Sequence, residues 1–148
     1  MDDLQNENNN IPEILLKYLE DIVFIINENL ICEFVNQKFF NSPLNNDNDN
    51  NIIGKPIIPI IFVNNKIKGE EFFKKLFENS AYSDYIKIVF DNLERYWFEI
   101  IGRQFYDKDG KSKAILFLRD ITALKEAEEK FKFITDNTND LISVYNKI

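Results

Sequence analysis

The side chains able to do chemistry are few in kind. Among 148 residues there are 25 acids, 18 bases, one cysteine (Cys32) and no histidine. The missing His removes His-assisted nucleophiles, His-ligated haem and His-containing zinc sites. A lone Cys closes no internal disulfide and builds no paired-cysteine metal knuckle. Asp47, Asp49 and Asn51 repeat the spacing of the first three ligands of a calcium loop. The place that needs glycine for the turn is Ile52, however, and the place of the bidentate acid is Ile58. Residues 44–51 (Leu-Asn-Asn-Asp-Asn-Asp-Asn-Asn) therefore read as a solvated low-complexity loop. Asp107 and Asp109 are also spaced like ligands, yet Asp107-Lys108-Asp109-Gly110 is a hairpin turn and turn chemistry accounts for both. No catalytic residue and no metal site are expected. The net charge of −7 argues against a nucleic-acid footprint, which needs clustered bases to displace phosphate counterions.

What remains is apolar. Hydrophobic residues make up 45% of the chain and aromatic ones 14%, enough for one domain with a full core. The opening residues Met1 to Glu7 are polar and acidic, unlike a signal peptide. The longest apolar run, Pro56 to Val63, is far short of the roughly 20 residues of a spanning helix. A cytoplasmic chain with no direct membrane insertion is expected.

The elements follow from periodicity. Residues 1–10 read as a disordered leader. A helix then opens with Asn10 as cap, Pro12 in its first turn and Ile11, Ile14, Leu15, Tyr18 and Leu19 on one face. Ile22 to Ile26 and Leu30 to Val35 form an opening hairpin. Asn36 is placed to cap a short helical turn through Phe39 and Phe40. An amphipathic helix over Gly69 to Asn79 turns Phe72, Phe73, Leu76 and Phe77 toward something apolar. Three strands come next, near Asp84 to Phe90, Arg95 to Tyr106 and Lys113 to Asp120. Beyond Thr122, residues 123–138 are strong helix formers, and Leu124, Ala127, Phe131 and Ile134 recur as a coiled-coil seam of two heptads.

The ending repeats the beginning. Asn139-Asp140-Leu141-Ile142-Ser143-Val144-Tyr145-Asn146 matches Glu20-Asp21-Ile22-Val23-Phe24-Ile25-Ile26-Asn27 in character. Residues 139–148 thus read as the first strand of a second, truncated domain, following a complete domain over 11–122.

In order and spacing the chain resembles the PAS domain family. The residues that carry this are Asp21 to Ile26, Phe34-Val35-Asn36, Ile53-Gly54-Lys55, Trp97-Phe98-Glu99, Asp107 to Gly110 and Arg119-Asp120-Ile121-Thr122. The resemblance implies an α+β fold: a five-stranded antiparallel sheet, order 2-1-5-4-3, with helices on one face. It also implies a non-enzymatic sensory or relay module of a signalling protein, such as a sensor histidine kinase. The alternative is a ligand-free dimerisation or docking module. Two cofactor classes of the family do not fit. Haem lacks its His, and a flavin adduct lacks its helical Cys, because Cys32 falls on a strand.

Strand alternation sorts the remaining candidates. Phe24, Ile26, Phe34, Phe98, Ile100, Leu116 and Leu118 should face the helices. They are either plain core or the lining of a small apolar ligand pocket with Gln104 as polar anchor. The opposite face carries Trp97, Ile101 and Phe117, which with the seam residues Leu124, Phe131 and Ile134 point to a homodimer. Asp120, Ile121 and Thr122 stand at the junction of strand and helix, where a signal to downstream PAS or kinase domains would pass.

Overall fold

The computed structural model describes residues 20–45 and 51–146, with side chains of the last helix as far as Asn137. The leader, the helix expected over 11–19 and most of the Asn/Asp loop lie outside the described residues.

Five strands form one antiparallel sheet in the order β2-β1-β5-β4-β3. They are β1 (Ile22–Asn27), β2 (Cys32–Val35), β3 (Ala81–Val89), β4 (Arg95–Tyr106) and β5 (Ser112–Asp120). Between β2 and β3 come a 3-10 turn (Gln37–Asn41), the short helix α1 (Ile58–Ile61) and α2 (Lys66–Asn79). A long helix, α3 (Thr122–Asn146), follows the last strand. Among the described residues, no helix is long and apolar enough to cross a membrane.

Local chemistry sets the boundaries. The β4–β5 turn is held by the Asp107 carboxylate, which accepts from the backbone N–H of Lys111 and of Asp109, each at 2.9 Å. These bonds, Lys111's foremost, hold that carboxyl below its ordinary range. Gly110 supplies the left-handed residue of the turn, at φ 78°. Helix α2 starts earlier than the apolar periodicity alone predicts, because the Asn65 side chain caps it by accepting from the Lys68 N–H at 3.3 Å. Asn36 does not cap the 3-10 turn. Buried, it accepts from the Val23 N–H at 3.0 Å and donates to the Asp21 carbonyl at 2.9 Å, tying the start of β1 to the end of β2.

Two expectations are corrected. A bulge in the β1–β2 ladder pairs Ile25 with Phe34 but Ile26 with Cys32, skipping Glu33. The extra residue moves Phe34 to the face of Ile25, away from the core, while Val35 packs against the core in its place. Second, residues 139–146 are the end of α3, not a strand. A lone strand leaves its backbone groups unpaired, whereas a helix satisfies them within the segment.

The core lies between the sheet and the helical layer. Phe24, Ile26, Phe98, Ile100, Ala114, Leu116 and Leu118 meet Phe39, Phe72, Phe73 and Leu76 in one buried cluster. Helix α2 sits close on β4: a Cβ built on Gly102 would lie 2.8 Å from Leu76 Cδ2.

Candidate functional site

Six of the seven apolar pocket candidates come together. Phe24, Ile26, Phe98, Ile100, Leu116 and Leu118 are each 0% exposed and belong to the same cluster. Neighbouring rings pack against them. Phe24 meets Phe39 edge-on at 5.5 Å between centroids, and Phe72 meets Phe73 at 5.2 Å. The seventh, Phe34, registers on the other face. The polar atoms of Gln104 are engaged at the sheet margin. Its Nε2 donates to Ser112 Oγ at 2.8 Å and to the Tyr106 hydroxyl at 3.4 Å, and its Oε1 accepts from Ser80 Oγ at 3.3 Å.

Cys32 is buried among these side chains, and its Sγ–H donates to the Phe34 carbonyl at 3.4 Å. Burial pushes the thiol up to about 11. It is a poor nucleophile and a poor metal ligand at neutral pH.

Open space lies instead on either side of α1. One cleft of about 340 Å³ has Phe39, Leu44, Ile52 and Phe90 in its walls, with Lys55 and Asp91 also lining it. The other, about 490 Å³, is walled by Leu30, Pro56, Ile58 and Phe62, with Asn65 and Lys66 also lining it. Sequence reasoning missed both. They depend on how α1 stands off the sheet, which no periodicity records.

The outer face differs in chemistry. Ile101 is 38% exposed, and Trp97 and Phe117 are half-buried. Ile101 and Phe117 are paired across β4 and β5. Charges border them. Arg119 Nε donates to Asp21 Oδ1 at 3.2 Å, which raises the guanidinium above its ordinary range. Lys113 is bonded to Glu33 and is raised for the same reason. Farther along, Leu124, Phe131 and Ile134 on α3 are all largely exposed.

The three junction residues meet at one point. The Asp120 carboxylate accepts from the Thr122 N–H at 2.9 Å and so caps α3. Ile121 donates its N–H to the Trp97 carbonyl at 2.9 Å and accepts the Lys125 N–H at 2.9 Å. Thr122 turns its side chain back to the sheet: its Oγ1 accepts the Trp97 N–H at 2.9 Å. Strand β4 thereby grips the start of α3 through both backbone groups of one residue. The adjacent Asp-Ile-Thr marks this spot in the sequence, but its partner stands 25 residues earlier on another strand.

No family model and no curated protein matches the sequence. Solved structures do. A PAS domain of Colwellia psychrerythraea aligns with TM-score 0.60 at 14% identity, covering 77% of this chain and 97% of that one. A PAS domain from a two-component sensor histidine kinase aligns with TM-score 0.57 at 8% identity, covering 78% and 98%. An RNA-binding Light-Oxygen-Voltage receptor aligns with TM-score 0.66 at 11% identity, covering 89% of this chain but only 38% of the receptor. With the sheet order already in hand, these decide the architecture. The chain has the PAS fold. Relative to that fold, the packed interior is the sheet-to-helix core, and the Asp120-Ile121-Thr122 junction is where the PAS sheet passes into α3.

Proposed function

We propose that this PAS domain is a sensory and relay module of a cytoplasmic signalling protein, delivering changes in the packing of its sheet to α3 and so to a downstream output such as a histidine kinase. The observation that supports it is the grip of Trp97 on Ile121 and Thr122. A displacement of β4 moves the start of α3 with it, and helices that pair along Leu124, Phe131 and Ile134 can exchange between two registers or crossings. In this reading the chain is no enzyme itself. It pairs with a second copy through the outer face and the seam. A small ligand enters a cleft beside α1, where open space meets apolar side chains. Neither haem nor a flavin adduct takes part. The acidic surface supports no nucleic-acid partner for this chain.

The full burial of the inner-face side chains favours a second reading, a ligand-free dimerisation or docking module. Native mass spectrometry of gently purified protein separates the two. A stoichiometric small molecule supports sensing, and a clean apo dimer supports docking. A ligand-free monomer at micromolar concentration overturns both.

A further inference from the structure

The Trp97 that binds the junction through its backbone also meets α3 through its ring. The Lys125 ammonium lies 5.7 Å from the Trp97 ring centroid and 5.2 Å from that of Tyr85 on β3. The Lys125 side chain is 31% exposed, so the cation is partly withdrawn from water, where attraction to aromatic faces counts for more. Tyr85 has a second attachment: its carbonyl accepts from Lys68 Nζ of α2 at 2.7 Å. One aromatic residue of β3 is thus bound by a cation from α2 and faces a cation from α3. Two other charges bear on the arrangement. Lys87 on β3 approaches the same indole, at 5.3 Å, and Glu128 lies 3.6 Å from Lys125.

The geometry points to Lys125 as a positioning residue: its ammonium, held against Tyr85 and Trp97, fixes the direction in which α3 leaves the sheet, and loss of that charge frees the first turn of the helix. The bonds from the Trp97 backbone to the Ile121 N–H and to Thr122 Oγ1 place the start of α3 at a point and leave the helix free to swing about it. Lys125, one turn along, is the next attachment. Beyond it Phe131, Phe133 and Ile134 are each at least 60% exposed, so among the described residues little else restrains the swing. The Lys125–Glu128 pair joins two residues of the same helix and cannot hold that helix to the sheet.

The inference rests on α3 being the output helix for its consequence, but not for its test. Trp97 is the only tryptophan, so its emission reports the environment of the latch directly. In the whole chain, Lys125→Gln should speed hydrogen exchange of the Ile121 and Lys125 amides about tenfold, the expected loss of two cation–aromatic contacts. It should also shift Trp97 emission, while amides of β1 and β5 keep their protection. Lys125→Arg should restore both signals, because guanidinium also binds aromatic faces, and Lys125→Met should not. Lys87→Gln should alter emission and leave junction exchange alone, and Glu128→Gln should alter neither. The proposal is overturned if Lys125→Gln leaves junction exchange unchanged, if Lys125→Met behaves as wild type, or if Lys125→Arg fails to rescue. A normal latch in a protein whose downstream activity ignores Lys125→Gln would overturn the output reading of α3 and leave the latch standing.

Discussion

The two faces of the sheet are built from the same strands and behave as different materials. On the inner face, Phe98, Ile100, Leu116 and Leu118 are fully buried and interlocked with the helical layer. On the outer face their immediate neighbours Trp97, Ile101 and Phe117 are partly exposed and mixed with Glu99, Arg103 and Arg119. A close-packed face transmits strain and has no room to accept anything. A half-covered apolar face retains surface to bury, and such surface marks where a partner or a moving element fits. Stability therefore belongs to one side of the sheet, and signalling, as proposed, to the other.

The largest effect should come from the inner face. Phe98→Ala leaves a cavity that the surrounding rings cannot collapse into, at a cost of about 3–5 kcal/mol. Urea denaturation should show a midpoint displaced accordingly at constant slope. A loss under 1 kcal/mol would mean the interior is loose enough to host a ligand after all. Overpacking gives the next effect. At Gly102 an added methyl meets Leu76 Cδ2 at 2.8 Å and Leu116 Cδ2 at 3.2 Å, so Gly102→Ala should cost about 1–3 kcal/mol. Neutrality there would show that α2 can lift from the sheet.

Much of this division was legible in the sequence, and the exceptions are instructive. Alternation assigned the faces of β4 and β5 correctly because both are long, regular and pinned by the Asp107 to Gly110 turn. The strand order follows the family resemblance. Alternation failed at Phe34 because one extra residue in a four-residue strand inverts everything after it, and a bulge leaves no compositional mark. Gln104 looked like a polar residue of the inner parity, but its partners Ser80 and Ser112 come from α2's end and from β5, contacts that only topology creates. Helix α1 was overlooked because Ile58-Pro59-Ile60-Ile61 is too short to show a period. Residues 139–146 resemble Glu20 to Asn27 and so suggest a strand, but apolar content in so short a run does not separate strand from helix.

The outer face and its junction should respond weakly in stability and strongly in assembly. Thr122→Val keeps the shape and removes the acceptor of the Trp97 N–H, so it should cost about 1 kcal/mol. Asp120→Ala removes the cap of α3 at about the same cost. For both, circular dichroism should retain the sheet while output of the parent protein changes; unchanged output with an intact fold would remove the junction from the relay. Ile101→Asp is the sharper probe of the face itself. Its stability effect should be about 1 kcal/mol, the span of strand propensity at a part-exposed position. Sedimentation should nevertheless show a weakened dimer. A dimer indifferent to Ile101→Asp would move the interface off this face.

Thiol chemistry tests the same division of labour by pH. Cys32 belongs to the inner side, and burial raises its pKa from 9.0 to about 11. The folded state thus keeps the proton that an unfolded chain releases first. Between about pH 9 and 11 the native form binds more protons, so stability falls as pH rises through that window; below it the contribution is complete. Wild-type protein should therefore lose more stability between pH 8 and pH 10.5 than Cys32→Ala, in which only the background of Tyr and Lys titration remains. A thiol reagent at pH 8 should label Cys32 no faster than the protein opens. Rapid labelling of the folded protein would place Cys32 in contact with solvent, and the inner face would then lose its claim to be closed.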